Sequence, residues 1–138
     1  MTILNYNLIN YPRSKIEWVI CEDSVKEYDM SIESQLPDEA KRNELKIKYV
    51  KLDKKVSIGE KRNICVENAS NDIIVCMDDD DFYPKTRIKH AVEKLESSRC
   101  LIAGCNTIPI YFLNEDELWS STIQNYWHST ASTFAYKR

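Results

Sequence analysis

Apolar and polar positions along the chain fall into two periods. Ile16-Glu17-Trp18-Val19-Ile20-Cys21 reads as a strand that runs into Glu22-Asp23-Ser24. Ile47-Lys48-Tyr49-Val50-Lys51-Leu52 alternates as a half-buried strand towards one edge of a sheet does. Ile73-Ile74-Val75-Cys76-Met77 is continuously apolar, as a buried parallel strand is, and meets four consecutive aspartates, Asp78–Asp81. Cys100–Cys105 predicts another buried strand and Ile108–Leu113 a further one, followed by an acidic turn over Asn114–Glu117. Two helices lie between. One starts at Ser57 with a capping-box spacing to Glu60, and its stripe of Ile58, Cys65 and Ala69 includes Arg62. The other opens with Pro84 at its first position and carries Ile88, Ala91, Val92 and Leu95 on one face, with Lys85, Arg87, Lys89 and Lys94 largely outside it.

The remaining segments are weaker. In Met1–Asn10, Ile3, Leu4, Leu8 and Ile9 fit one helical stripe, whereas Thr2-Ile3-Leu4 alone would fit a strand; Pro12 ends either. Val25–Arg42, interrupted by Pro37, predicts loop with short helical turns, and in the polar, aromatic tail Thr133–Tyr136 closes as a strand. The order strand, loop, strand, helix, strand, helix, strand predicts an α/β domain over residues 1–138 with a mainly parallel, Rossmann-like sheet flanked by helices.

Composition narrows the function. A single domain of 138 residues can bury a core, and a formal charge of −3 disfavours a phosphate-seeking nucleic-acid surface. No apolar run approaches membrane-spanning length and no signal segment opens the chain, which predicts a soluble, cytoplasmic protein. Cys21, Cys65, Cys76, Cys100 and Cys105 form no Cys-x-x-Cys unit and read as reduced core residues. With only two glycines, a Gly-rich phosphate loop is disfavoured.

In such a sheet ligands gather at the carboxyl ends of the strands. Three charged features are expected there: Glu22-Asp23, Lys61-Arg62 at a helix start, and Asp78–Asp81. Four adjacent carboxylates repel one another unless a cation is bound or protons are taken up. If the strand continues through them, Asp78 and Asp80 point one way and Asp79 and Asp81 the other, which makes an Asp-x-Asp pair for one hard divalent ion. Acids, a divalent ion and a basic helix start together suit a metal-bound diphosphate.

Three stretches, in the same order and spacing, resemble family-2 glycosyltransferases of the GT-A fold. Ile16–Ser24 resembles the segment in which that family ends a strand with a paired acid. Ile58-Gly59-Glu60-Lys61-Arg62-Asn63, with Ala69 and Asp72, resembles its helix bearing a Gly and an Arg-Asn pair, and Asp78–Asp81 with Pro84 its Asp-x-Asp signature. The resemblance covers about Tyr11–Leu95 and implies inverting transfer of a sugar from a nucleoside-diphosphate sugar, a UDP-sugar above all, to a glycan or protein hydroxyl. It implies that Asp23, with Glu22 beside it, bonds the nucleotide base, and that Arg62 and Lys61 contact the base or diphosphate. Asp78 would face the ribose, supported by Asp79, and Asp80, with Asp78, would coordinate Mn²⁺ or Mg²⁺. The donor half would span about 11–97 and an acceptor-side segment, including Ala103-Gly104-Cys105 and Ala131–Arg138, about 98–138. Within the family, the Glu-Trp-Val-Ile spelling and the low-glycine, Asn/Lys/Ile-rich composition resemble virus-encoded members.

The sequence departs from the family pattern at both ends. Leu8–Lys15 is too short for a crossover helix, so Met1–Asn10 is expected to be the tail of the first helix. The family's first strand would then be lacking, its place filled by a complementary segment or a second copy of the chain. The family's catalytic acid would fall beyond Arg138, and the pair Glu115-Asp116 lies early for that role, so the base is unassigned with Asp116 as the weak candidate.

Other readings of the same residues exist. Asp78–Asp81 could be a solvated turn or an adventitious calcium site, Arg62 a structural partner of Glu60 or Asp53, and Glu22-Asp23 a cap for Val25–Tyr28. Trp127 and His128 could stack on an acceptor or form an ordinary half-buried pair. The alternatives to a transferase are a non-catalytic nucleotide-sugar or metal-binding module and a haloacid-dehalogenase-like phosphatase. The last needs a Thr where Phe82 stands.

Overall fold

The computed structural model describes residues 1–23, 31–122 and 128–138. The expected cap on Val25–Tyr28 and Trp127 fall outside them. The chain forms two compact units, Pro12–Asn71 and a second made of Met1–Tyr11 with Asp72–Arg138.

In the Pro12–Asn71 unit, β1 (Trp18–Glu22) pairs in parallel with β2 (Ile47–Lys51), in register from Trp18 opposite Ile47 to Glu22 opposite Lys51. β1 thus starts two residues later than its apolar run, and Ile16 instead plugs the core, 6% exposed like Ile47. Glu17 ties the sheet to the following helix by accepting from Lys48 Nζ at 2.6 Å and from the Ser70 N–H at 2.6 Å. The weakly patterned connection holds a 3₁₀ turn (Ile32–Gln35) and the short α2 (Glu39–Glu44), whose N-cap Asp38 accepts from the Lys41 N–H at 2.8 Å. α3 (Ile58–Asn68) begins where the capping box predicts: the Ser57 hydroxyl accepts from the Glu60 N–H at 3.1 Å. Of its expected stripe, Arg62, Cys65 and Ala69 are half-buried, joined by Lys61, Ile64 and Val66, whereas Ile58 is 65% exposed.

The second unit is built on a three-stranded sheet in the order β3 (Ile73–Val75), β7 (Ala135–Lys137), β4 (Ile102–Ala103). β7 is antiparallel to both neighbours, so β3 and β4 run parallel with the returning tail between them. Across this sheet lies α4 (Arg87–Ser97), which buries Ala91 and Leu95 against Ala135, flanked by Ile73, Val75 and Ala103. The expected apolar face is the one used, but the helix starts at Arg87 and not at Pro84, because Pro84–Thr86 makes a turn closed by the Arg87 N–H on the Pro84 carbonyl, 2.8 Å. The predicted strand Cys100–Cys105 shrinks to Ile102–Ala103, and it is not buried. Leu101 is 68% and Ile102 54% exposed, and Cys100 and Cys105 lie at the surface, not in the core.

α1 (Thr2–Leu8) resolves the ambiguous opening as a helix. The apolar stripe is not its inner face: Leu4 and Leu8 are exposed, and Asn5 and Tyr6 are buried. β5 (Thr107–Phe112) is the predicted strand, and its antiparallel partner β6 (Glu117–Thr122), with no alternating pattern to announce it, completes a hairpin. The acidic turn lies at its tip, where Asp116 takes φ 54°.

Candidate functional site

In the Pro12–Asn71 unit the expected donor residues separate into two groups. Asp23 follows β1 directly, and both of its oxygens are used: Oδ2 accepts from the Val56 N–H at 3.0 Å and Oδ1 from Lys61 Nζ at 3.0 Å. Val56 immediately precedes the Ser57 cap, so one carboxylate fixes the entry to α3 and orients a lysine of its first turn. The Val56 hydrogen bond, then that of Lys61, holds the Asp23 carboxyl below its ordinary range. Arg62 is half-buried next to Lys61.

Glu22 belongs to a different network. Its Oε2 accepts from Tyr49 Oη at 2.7 Å and Ser31 Oγ at 3.0 Å, and Lys51 Nζ lies 3.4 Å from Oε1. Burial, with the Glu22 bond second, pushes the Tyr49 phenol up to about 12. Parallel register explains part of this, since Glu22 stands opposite Lys51, and Tyr49 is two residues earlier on the same face of β2. The pair Glu22-Asp23 therefore divides its work: Glu22 turns back onto the sheet and Asp23 reaches the helix start.

In the other unit, β3 ends at Val75, and Asp79–Asp81 lie in a bend beyond it. Strand alternation therefore does not set the directions of the four aspartates, and that expectation is corrected. Their backbone is held instead from outside the run. Thr2 Oγ1 donates to the Asp79 carbonyl at 3.0 Å, and Asn5 Nδ2 to the Asp81 carbonyl at 2.7 Å. The Asp78 N–H donates to Tyr83 Oη at 2.9 Å, and that hydroxyl donates to the Ser132 carbonyl at 3.0 Å. Asp79 and Asp80 are exposed, and among the described residues their carboxylates make no hydrogen bond or ion pair.

Arg87, expected outside the apolar face, turns inward. Its Nη2 donates to the carbonyls of Cys76 (3.3 Å) and Phe134 (3.1 Å), and its guanidinium lies 5.8 Å from the Tyr83 ring. Burial pulls its pKa down from the ordinary value. It staples the strand end that delivers the aspartates to the returning tail. Asp116 sits apart at the exposed hairpin tip, where its carboxylate accepts from Tyr111 Oη.

Asn5, Tyr83 and Arg87 were not legible as site residues, because each acts on main chain distant in sequence. A trace of signal exists for Tyr83, an aromatic two residues past a run of charge, which the fold leaves only 7% exposed.

Among the described residues no three His, Cys, Asp or Glu side chains form a ready-made metal cage. The donor chemistry nonetheless fits a hard ion: the side chains of the run offer carboxylate oxygens, those of Asp79 and Asp80 uncommitted, and no thiolate or imidazole.

The chain is α/β, with acids after two strands and a basic helix start, and comparison with known proteins gives its fold as the GT-A type. The chain belongs to glycosyl transferase family 2, whose profile matches residues 4–137. The crystal structure of S. aureus TarS 1-349 shares the fold with a TM-score of 0.66 at 18% identity. That match takes in 98% of this chain and 41% of the TarS 1-349 chain, so the chain spans less than half the length of the structure it matches. No curated protein matches the chain. No helix among the described residues is long and apolar enough to cross a membrane.

Proposed function

We propose that this chain binds a nucleoside-diphosphate sugar, a UDP-sugar in the first instance, and serves its metal-dependent, inverting transfer to a hydroxyl of a glycan or protein. The observation that carries the reading is the aspartate loop. Its backbone is anchored at Asp78, Asp79 and Asp81, and the Asp79 and Asp80 carboxylates are uncommitted. Asp80, with Asp78, would hold Mn²⁺ or Mg²⁺, and Asp78 and Asp79 would meet the ribose. The ion supplies charge neutralisation to a departing diphosphate.

In the Pro12–Asn71 unit Asp23 is the acceptor for a base N–H. It is ionised over the whole neutral range, and its oxygens retain lone pairs beyond the two bonds they accept. Lys61 and Arg62 contribute positive charge to the base or diphosphate. Glu22 has the smaller part, since Tyr49, Ser31 and Lys51 already hold it.

A second reading, a donor-binding module without turnover, is favoured by one observation. Asp116, the acid weighed as base, is engaged by Tyr111 at a hairpin tip. UDP release from a panel of UDP-sugars in Mn²⁺ separates the two. Transfer predicts release that disappears in EDTA and in Asp80→Asn. Metal-dependent binding without release selects the module, and no binding of any nucleotide sugar overturns both.

A further inference from the structure

Asn5 is 2% exposed, and its amide is committed at both ends to one partner segment. Nδ2 donates to the Asp81 carbonyl at 2.7 Å and Oδ1 accepts from the Tyr83 N–H at 3.0 Å, across 76 and 78 positions of sequence. Tyr83 is 7% exposed, and its hydroxyl likewise both accepts, from the Asp78 N–H, and donates, to the Ser132 carbonyl. A buried polar group is retained where its bonds are all made, and here every bond made by these two side chains falls on the backbone of the aspartate loop or on its support.

That pattern solves a specific problem. Four neighbouring carboxylates repel, and a loop free to respond would swing them apart. Hydrogen bonds to the carboxylates would gather them but would occupy the oxygens a cation needs. Bonds to the backbone gather them and leave Asp79 and Asp80 available.

We propose that Asn5 and Tyr83 are positioning residues that hold Asp78–Asp81 in the arrangement that takes a divalent cation, so that the ion affinity of the loop is set partly from α1. This rests on the reading of Asp78–Asp81 as the cation site. Neither side chain is a ligand; each acts through the main chain. Tyr83 fixes the residue at the start of the run and Asn5 the residue at its end, so the two constraints bracket the candidate ligand Asp80. Partners that orient ligands in this way typically change metal affinity by about 10–100-fold when removed.

The test uses Mn²⁺ alone as probe, with free ion followed by its electron paramagnetic resonance signal, on the wild-type chain, Asp80→Asn, Tyr83→Phe and Asn5→Ala. Melting curves of the metal-free proteins establish the temperature range in which each is folded. Tyr83→Phe removes one oxygen and keeps the ring, so it remains informative if Asn5→Ala does not fold. The expected result is Mn²⁺ binding by wild type, weakened at least tenfold in folded Tyr83→Phe and folded Asn5→Ala. A merely structural role would lower the melting temperature and leave the Mn²⁺ affinity of the folded chain unchanged. Folded Tyr83→Phe with an affinity within twofold of wild type overturns the inference while wild-type binding upholds the site. Wild type that takes no Mn²⁺ overturns the site itself, and the positioning role with it.

Discussion

Asp23 and Tyr49 belong to two separate networks and make opposite demands on pH. Asp23 has its carboxyl pKa lowered from 3.8 by the Val56 and Lys61 bonds, so its ionised form contributes stability above that value, lost as the pH falls through the lower folded value. Asp23→Asn should therefore flatten the acid limb of the stability curve below about pH 4. Tyr49 is raised from 10.0 to about 12, so its neutral form contributes stability that is fully present below pH 10.0 and is lost as the pH rises towards about 12. Chemical denaturation at stepped pH should show that loss in wild type and a flatter profile in Tyr49→Phe. An unchanged alkaline limb in that variant would contradict the Glu22–Tyr49 assignment. Arg62→Ala should weaken UDP binding roughly 10- to 150-fold, the size of a charged hydrogen bond of about 1.5–3 kcal/mol. It should leave Mn²⁺ affinity unaltered, and unchanged UDP affinity would refute its role.

At the scale of elements, the aspartate-bearing unit depends on a small core. Leu95 is fully buried between α4 and the β3–β7–β4 sheet, and Leu95→Ala should cost about 2–5 kcal/mol by denaturant unfolding. Gly104 follows β4, and a Cβ there would press on the Ser129 hydroxyl, come within 2.7 Å of Ser129 Cβ and meet Phe134 Cδ1 at 3.2 Å. Gly104→Ala should then cost about 1–3 kcal/mol through overpacking, read in the same experiment. These elements also show what a sequence can disclose. α3 was legible from its capping box, α4 from Ala91 and Leu95 one turn apart, and β2 from its alternation, since each signal is local and periodic. The end of β3 was not legible, because Cys76 and Met77 extend the apolar run past the last paired residue. β6 was hidden because a hairpin exposed on both faces imposes no alternation: Leu118 is 70% and Trp119 62% exposed. The inner face of α1 was misread because it is polar, and its key residue, Asn5, serves a loop more than seventy residues away.

For the whole molecule, membership of glycosyl transferase family 2 and the GT-A fold agree with the reading of the three motifs. The candidate site was legible where residue type carries the chemistry, at Asp78–Asp81, Asp23 and Lys61-Arg62. Its supports, which depend on contacts made by the folded chain, were not. If the aspartates are the proposed cation site, held under mutual repulsion, Asp80→Asn should leave the metal-free melting temperature equal to or above that of wild type; a clear fall would mark the run as structural. The most direct measurement is calorimetric titration of UDP into wild type and Asp80→Asn, in Mn²⁺ and in EDTA. The account predicts strong binding only for wild type in Mn²⁺. Equal UDP affinity for wild type with and without the ion would contradict it.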